Sequence, residues 1–226
     1  RDIADLLTGK VNPSGKLTMT WPIAATDHPS TKNFPGNIDN YTFQMMVGNK
    51  MPIPGHAYTN HEEDIYVGYR FFDTFNKEVA YPFGFGLSYT TFAFSKPVVK
   101  ANGSTIAVSI TVKNTGNVAG KEVAQIYVQA PKGRLEKPSQ ELKAFAKTRE
   151  LQPGESQTLT MNIPVRDLAS FDEAGSQWLT EAGTYTFCIG NSSRNIAATA
   201  QLKLAEYTEK TTNALAPKQK LNLMHQ

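Results

Sequence analysis

Apolar and polar residues alternate along residues 91–204 with the period of two that is typical of β-strands. The clearest run is TIAVSITVKN (105–114), whose apolar face consists of Ile106, Val108, Ile110 and Val112. Similar runs follow in EVAQIYVQA, QTLTMNIPV, GTYTFCIGN and NIAATAQLKL. About seven short strands, with a turn signal about every 8–12 residues, are typical of an immunoglobulin-like β-sandwich.

The single cysteine narrows this prediction. Cys188 has no second cysteine with which to form an internal disulfide. Because it lies in an alternating strand pattern, we predict a small buried core residue rather than a nucleophile. The Cys…Trp…Cys spacing of antibody domains is also absent, so the sequence favours the fibronectin type III-like variety of the sandwich.

The first 22 residues follow a different pattern. A helical spacing is set by Ile3, Leu6 and Leu7, with Gly9 placed to end the helix. The turn NPSGK (12–16) and a short predicted strand, LTMTWP (17–22), come next. Helix, turn and strand form one step of a layered α/β domain, and one step is too little for a core. We therefore expect the chain to start within such a domain.

This expectation has a consequence for the surface of residues 1–90. Apolar side chains that would pack against further α/β layers should lie exposed, and such a surface invites association between copies of the chain. Residues 23–62 read mostly as loop, with five of the thirteen prolines if Pro22 is included. The stretch IYVGYRFF (65–72) fits a helical face and a strand equally well, and its periodicity leaves both readings open.

An aromatic segment, YPFGFGLSYTTF (81–92), lies where the α/β pattern stops and the β pattern begins. Rings beside mobile backbone could form a platform that stacks on sugars or bases. They could equally be the packing of a domain junction. Its position in the chain favours the junction, in which glycines let the backbone turn tightly. The residues assigned to this role are Phe83, Gly84, Phe85, Gly86 and Tyr89.

Charge and hydropathy exclude two classes of partner. The formal net charge is +3, and lysines and arginines are dispersed rather than clustered, so we predict no nucleic-acid partner. No run approaches the roughly 18 apolar residues of a membrane-spanning helix, so we predict no membrane partner.

The candidate metal and phosphate ligands do not converge in the sequence. The four histidines lie in predicted loops or in the tail, without the spacing of a zinc site: His28, His56, His61 and His225. The motif GFGLS lacks the third glycine of a phosphate-binding loop. We predict no metal and no cofactor.

The acidic residues are candidates for catalysis, because paired carboxylates serve glycoside hydrolysis. Glu62, Glu63 and Asp64 form the densest cluster. One of them could reach a substrate hydroxyl or pair with Arg70. The favoured interpretation is that they complement the dipole of a helix at 65–72. Three others are read as solvated residues at turns of the sandwich: Asp172, Glu173 and Glu181. No residue is assigned a catalytic, cofactor-binding or metal-binding role.

Three segments, in this order, resemble the C-terminal part of family 3 glycoside hydrolases, the β-glucosidase and β-xylosidase family. They are LLTGKVNPSGKLTMTWP, EEDIYVGYRFFDTFNKEVAYPFGFGLSYTTFAFS and VKNTGNVAGKEVAQIYVQAP. The resemblance implies a mainly β protein in three parts. Residues 1–95 would be the end of an α/β-sandwich domain, 96–205 a fibronectin type III-like domain, and 206–226 a C-terminal tail.

The resemblance also implies where the chemistry lies. The aspartate nucleophile belongs to a (β/α)8-type barrel, and the glutamate acid/base belongs to a part of the second domain upstream of NPSGKL. This chain alone is therefore expected to be inactive. The resemblance implies that it is the structural part of a periplasmic or secreted β-glycosidase, with β-glucosidase as the expected activity. Its partners would be the upstream catalytic domains and, in the intact enzyme, an oligosaccharide or glycoside.

Three further expectations follow. The family commonly has glycine after the glutamate at Glu63, where this chain has Asp64, so the loop geometry there is in question. The spaced apolar residues of the tail, including Leu215 and Met224, are expected to dock on a neighbouring surface. An alternative function, a carbohydrate-binding or adhesive module, would need exposed rings, but we predict mainly core positions for Tyr127, Phe145, Phe171, Trp178, Tyr185 and Phe187.

Overall fold

The computed structural model describes residues 2–32, 37–38, 57–217 and 220–226. Besides two 3-10 helices, Ala25–Asp27 and Pro29–Lys32, its described first part contains two short α-helices and four short strands. They are α1 (Asp2–Leu7), β1 (Trp21–Pro22), β2 (Asn37–Ile38), β3 (Ala57–Tyr58), α2 (Tyr69–Thr74) and β4 (Val79–Tyr81). Strand β1 pairs with β4, and β2 pairs with β3, both antiparallel.

The second part is a sandwich of two antiparallel four-stranded sheets. One sheet runs β10-β7-β5, with β6 also paired to β7, and the other runs β14-β13-β8-β9. The strands of the first sheet are β5 (Phe92–Phe94), β6 (Val98–Asn102), β7 (Thr105–Asn114) and β10 (Ser156–Pro164). Those of the second are β8 (Val123–Gln129), β9 (Glu141–Lys147), β13 (Gly183–Ser192) and β14 (Asn195–Leu204).

A smaller three-stranded sheet flanks the sandwich. It is formed by β11 (Ser170–Asp172), β12 (Gln177–Thr180) and β15 (Tyr207–Lys210), in the order β11-β12-β15. Strand β15 belongs to the segment predicted as tail, and its pairing with β12 attaches the beginning of that segment to the sandwich.

The core of the sandwich lies between the two four-stranded sheets, as the alternation predicts. Ile106, Val108, Ile110 and Val112 of β7 are at most 1% exposed and pack against apolar residues of β8, β10 and β13. Cys188 is 3% exposed, and burial raises the pKa of its thiol, so the prediction of a buried core cysteine is confirmed. The mainly β, fibronectin type III-like fold is confirmed.

A second, smaller apolar cluster centres on helix α2. Tyr66, Phe71 and Phe72 are buried there, and Met224 from the end of the chain packs against them. The stretch that fitted both helix and strand is a turn and loop up to Gly68, followed by the helix. Gly68 has φ +57° and ψ −133°, a combination that glycine adopts readily and larger residues avoid, and it allows the backbone to enter the helix from that loop.

The first 22 residues are only partly as predicted. Helix α1 is present, and Gly9 follows it with φ +74°, the conformation of a terminating glycine. The strand predicted over 17–22 is wrong except for its last two residues. The reason is that Leu17 exchanges backbone hydrogen bonds with the aromatic segment instead, donating to Phe85 O and accepting from Gly84 N.

The tail docks on the chain itself. The Met224 amide donates to Glu62 O (2.7 Å), and the Gln226 amide donates to Glu136 Oε1 (2.6 Å). Leu215, in contrast, is 94% exposed and contributes nothing to this contact. Docking of the tail on upstream domains stays a prediction.

Asp64, where the resemblance leads us to expect glycine, has a φ of +50°. A left-handed conformation is unfavourable for a residue with a Cβ atom, although aspartate tolerates it better than most. We therefore expect Asp64→Gly to raise the free energy of unfolding by about 1 kcal/mol, measured by urea denaturation. Glu62→Gly, where φ is negative, is the matched control and should lower it. A loss of stability in Asp64→Gly as large as in Glu62→Gly would contradict the expectation.

Candidate functional site

The aromatic segment at 81–92 connects the two parts of the chain. The ring of Phe83 packs on that of Tyr69 in helix α2, with 4.7 Å between ring centroids. The Tyr69 hydroxyl accepts a hydrogen bond from the Leu142 amide of β9 (2.8 Å). Phe83 O accepts a further bond from the Ser193 amide in the β13–β14 turn (2.9 Å). Phe83 therefore joins the helix of the first part to the second sheet of the sandwich.

Gly84 approaches the sandwich more closely than any larger residue could. Its φ is +80°, and a Cβ atom on it would lie 2.0 Å from Oε1 of Gln125. Gln125 is buried and donates from Nε2 to Gly84 O (3.1 Å) and Asn191 O (2.8 Å), while the Tyr127 hydroxyl donates to its Oε1 (2.6 Å). Glycine is therefore needed at position 84 for two reasons: its φ is positive, and a Cβ atom there would collide with the Gln125 side chain.

An ion pair crosses the same junction. Lys16 Nζ, in the turn before β1, lies 2.7 Å from Glu122 Oε1 at the start of β8, and both side chains are largely buried. Glu122 Oε1 also accepts from the Val123 amide, and Oε2 accepts from Asn191 Nδ2. This carboxylate is therefore fully committed to structural contacts.

Tyr89 and Asn12 complete the connection. The Tyr89 hydroxyl donates to Leu6 O at the end of α1 (2.7 Å), and its amide donates to Asn12 Oδ1 (2.8 Å). Asn12 Nδ2 in turn donates to Ala119 O (2.9 Å) in the sandwich. These contacts are those of a packed junction, the role that the position of the segment predicts.

One side of the junction nevertheless exposes an apolar surface, here called the aromatic face: Trp21, Tyr81, Phe85 and Leu87. Trp21 and Tyr81 meet edge to face at 6.3 Å, and Tyr81 lies 5.0 Å from Phe85. Together they line a depression of about 460 Å³. Trp21 is 50% exposed and Leu87 70% exposed, which is unusual for large apolar side chains placed side by side.

Further apolar residues of the first part are exposed as predicted: Ile3, Leu7, Val11, Met19, Ile23 and Val67. We expect the isolated chain to associate through the aromatic face, because association removes apolar surface from water. Light scattering should then give a mass that rises with concentration above 24.9 kDa. Replacing Trp21 and Leu87 by serine should suppress this, whereas Leu215→Ser, at an exposed but isolated leucine, should not. A constant monomer mass at all concentrations would contradict the expectation.

Two of the predicted roles of the acidic cluster at 62–64, the helix dipole and the pairing with Arg70, are wrong. Helix α2 begins at Tyr69, and its first turn contains no acidic residue, so the cluster is too far away to complement the helix dipole. Arg70 pairs with Glu141 of β9 (3.3 Å) rather than with the cluster. Glu63 is buried, and its Oε1 lies 3.1 Å from His61 Nδ1.

Two of the acidic residues read as solvated are in fact buried, whereas Glu173 is exposed as predicted. Asp172 accepts from Arg134 Nη2 (2.6 Å) and Gln177 Nε2 (2.9 Å). Glu181 binds Lys137 Nζ and accepts from the Arg134 amide (2.7 Å). The basic partners lie in the connection between β8 and β9, so neighbouring sequence positions gave no signal of these pairs.

The electrostatics of Asp172 and Glu181 point away from acid catalysis. Hydrogen bonding from Arg134 lowers the pKa of Asp172 far below its usual value. Burial tends to raise the pKa of Glu181, but the bonds from Lys137 and Arg134 outweigh it and lower that pKa. The acid of a glycosidase needs a raised pKa, so these two groups fit structural ion pairs.

The histidines take up separate positions. His28 lies edge to face with Phe72 at 5.4 Å, and His225 Nδ1 lies 2.6 Å from Glu136 Oε2. His56 lies outside the described residues. Among the residues that the structure describes, no three histidines, cysteines or acidic residues lie close enough to hold a metal ion. Every described helix is too short or too polar to traverse a bilayer.

The aromatic residues of the sandwich are split between core and surface. Tyr127, Tyr185 and Phe187 are fully buried, as predicted. The prediction is wrong for Phe145 and Trp178, which are 67% and 37% exposed. Phe171 is half-buried and packs edge to face on Trp178, with 5.4 Å between ring centroids. Phe145 lies on β9, in a different sheet from this pair.

Comparison with known proteins assigns both parts of the chain. Residues 1–89 match the glycosyl hydrolase family 3 C-terminal domain, and residues 122–193 match a fibronectin type III-like domain. Beta-glucosidase A of Butyrivibrio fibrisolvens is 39% identical over 239 residues, which cover 95% of this chain and 27% of that protein. A beta-glucosidase of Ruminococcus albus is 40% identical over 223 residues, which cover 95% of this chain and 21% of that protein.

Solved structures agree with the sequence matches. The structure of beta-glucosidase 3B from Thermotoga neapolitana in complex with alpha-D-glucose superimposes with a TM-score of 0.82 at 48% identity. The superposition covers 92% of this chain and 27% of that one. The chain therefore spans about a quarter of the length of these relatives.

Proposed function

We propose, from the premise that this chain is the C-terminal part of a family 3 glycosyl hydrolase, that it is the scaffold of a β-glucosidase. The intact enzyme would release terminal β-linked sugars from oligosaccharides or glycosides, as the names of the relatives suggest. The observation that carries the scaffold role is the aromatic face beside a fully bonded junction. The junction fixes the first part on the sandwich. In this proposal the upstream domains cover the exposed aromatic face.

In this proposal the catalytic aspartate and glutamate lie in the upstream domains, which are the chain's partners. Retaining hydrolysis needs two carboxylates about 5–5.5 Å apart, each free to reach the sugar. Glu122, Asp172 and Glu181 are instead each held by a basic side chain. The proposed domain boundaries divide the chain into residues 1–95, 96–205 and 206–226. Strand β5 lies before the first boundary but pairs with sandwich strand β7, and β15 lies after the second boundary but pairs with β12.

A chimera tests this role. This chain would replace the corresponding C-terminal part of the Thermotoga neapolitana enzyme, and hydrolysis of an aryl β-glucoside would be compared with that of the truncated enzyme. We expect the chimera to fold and hydrolyse the substrate, and the truncated enzyme to lose activity and thermal stability. Trp21→Asp in the chimera should lower its melting temperature. Equal activity and stability of chimera and truncated enzyme would contradict the scaffold role.

The exposed ring of Phe145 favours the second candidate, a carbohydrate-binding module. It lines an apolar depression of about 440 Å³ next to Phe83 and Leu142. Titration with glucan and xylan oligosaccharides separates the candidates. Saturable binding that is lost in Phe145→Ala would favour the module, and we expect no binding that depends on this ring.

We also propose that the intact enzyme acts in the periplasm or outside the cell, where oligosaccharides are met before uptake. The support is the family resemblance. Fractionation of cells that produce the full-length protein would place its activity in the periplasm or culture fluid if the proposal is right, and in the cytoplasm if it is wrong.

A further inference from the structure

Residues 221–226, here called the tail clasp, contact both matched regions of the chain without forming a helix or a strand. The Met224 amide donates to Glu62 O (2.7 Å) in the first region, and its side chain packs on the apolar cluster of helix α2. The Gln226 amide donates to Glu136 Oε1 (2.6 Å) in the second region. Because the clasp belongs to no regular element, its docking depends on a small number of contacts, of which Glu136 receives several.

Glu136 is the residue at which three segments meet. Its Oε1 accepts from the Tyr66 hydroxyl (2.6 Å) as well as from the Gln226 amide, and its Oε2 lies 2.6 Å from His225 Nδ1. Short hydrogen bonds of this kind are typical of an ionised acceptor. A protonated carboxyl group would give up its charge and part of its capacity to accept. The contacts of the clasp are therefore matched to the carboxylate form of Glu136.

The loop that carries Glu136 is fixed independently of the clasp. Two ion pairs hold it on either side of Glu136: Arg134–Asp172 and Lys137–Glu181. Residues 211–217, which lead from β15 towards the clasp, are mostly exposed and form no helix or strand. The acceptor is thus held in position, whereas the segment that docks on it is connected through exposed chain. This combination allows the clasp to detach without rearrangement of the sandwich.

The groups around Glu136 determine the direction of its response to pH. Burial tends to raise the pKa of Glu136, but the hydrogen bonds from Tyr66, His225 and the Gln226 amide outweigh it and lower that pKa. Docking and ionisation therefore favour each other. The resulting stabilisation is present above the ordinary glutamate pKa of about 4.3 and is lost as the pH falls through the lowered value.

The neighbouring groups do not reverse this direction. Burial, followed by the bond to Glu136, raises the pKa of Tyr66, so its hydroxyl stays a donor under acidic and neutral conditions. A protonated His225 still has a donor at Nδ1, and its charge attracts the carboxylate. The other charged groups that act on this site are Asp64, through Tyr66, and Lys137, whose ammonium binds Glu181.

We propose that the tail clasp is an acid-released switch, which docks while Glu136 is ionised and detaches from the folded sandwich when Glu136 is protonated. Release would break the connection that runs through Glu136 between the two matched regions. It would also uncover the apolar cluster on which Met224 packs. The switch does not rest on the scaffold role, because all of its groups belong to this chain.

Glu136→Gln tests the switch at neutral pH, since glutamine has the shape of the protonated side chain and cannot ionise. Hydrogen exchange of the Met224 amide, followed by NMR of the ¹⁵N-labelled chain, reports how often the clasp opens. We expect its protection to fall about tenfold, because an acceptor of three hydrogen bonds loses its charge. The Leu151 amide, which donates to Gly120 O (2.8 Å) outside the clasp, should keep its protection. Glu173→Gln, at an exposed glutamate between β11 and β12, is the matched control and should change neither amide.

A pH titration of the chain labelled with ¹³C-methyl methionine tests acid release itself. The Met224 methyl group should move towards its free-chain shift below about pH 4.3, before the signal of Met161, which is buried in the sandwich core, changes. Tyr66→Phe removes one donor to Glu136 with little change of shape. It should raise the midpoint of the Met224 transition by about one pH unit.

Several outcomes would overturn the proposal. Met224 protection in Glu136→Gln equal to that of the parent chain would mean that the charge of Glu136 does not hold the clasp. An equal loss of protection at Leu151 in that variant, or transitions of Met224 and Met161 at the same pH, would mean that the clasp does not detach by itself. An inactive chimera would count against the scaffold role and would leave each of these measurements unaffected.

Discussion

Replacing Gly84 by alanine is expected to lower the free energy of unfolding by about 3 kcal/mol, because two penalties combine at this position. The backbone angle of φ +80° is unfavourable for alanine, and the new methyl group would lie 2.0 Å from Oε1 of Gln125. Gln125 cannot move aside freely, since it is 3% exposed and holds Asn191, Tyr127 and Gly84 itself through hydrogen bonds.

Gly154→Ala separates the two penalties. Gly154 has φ +83°, almost the same as Gly84, but nothing lies within 4 Å of the position where its Cβ would be. This variant should therefore lose only the backbone contribution, about 1 kcal/mol. Urea denaturation of both variants measures the difference. Equal losses in the two variants would show that the junction tolerates the methyl group and would contradict the close packing described at Gly84.

Lys16→Met is expected to cost about 3 kcal/mol of stability. The substitution keeps most of the side-chain volume but removes the cation that lies 2.7 Å from Glu122 Oε1. Side-chain exposure is 14% for Lys16 and 7% for Glu122, so the carboxylate would remain buried without its counter-charge. The loss of one partner of a buried ion pair is much more harmful than the loss of an exposed pair.

Lys10→Met is the control for this prediction. Lys10 Nζ lies 3.4 Å from Asp5 Oδ1, but the lysine side chain is 67% exposed, so its loss should change stability by less than about 1 kcal/mol. Adding Glu122→Gln to Lys16→Met should recover part of the loss, because the unpaired charge is then removed. A cost of Lys16→Met no greater than that of Lys10→Met would mean that the pair does not hold the junction.

The sandwich was predictable because its strands carry a local signal. In β7 every second residue is buried, so the alternation of Ile106, Val108, Ile110 and Val112 already describes the face that meets the core. The same reasoning failed for Phe145. Its strand β9 lies at the edge of its sheet, and alternation alone does not show whether either face of an edge strand is covered.

The ion pairs could not be read from the sequence for a different reason. Asp172 and Arg134 are 38 positions apart, and Lys16 and Glu122 are brought together only by the junction. Nothing in the local pattern distinguishes a carboxylate at a solvated turn from one that a distant arginine covers. The position of the aromatic segment between two patterns was informative, whereas its composition alone would equally have suggested a ligand platform.

Incubation of the purified chain with an aryl β-glucoside, at high protein concentration, tests most directly that its role is structural and that the catalytic carboxylates lie elsewhere. The account predicts release of the aryl group no faster than in a buffer blank. Turnover that rises with the concentration of the chain and disappears when the chain is unfolded would contradict it.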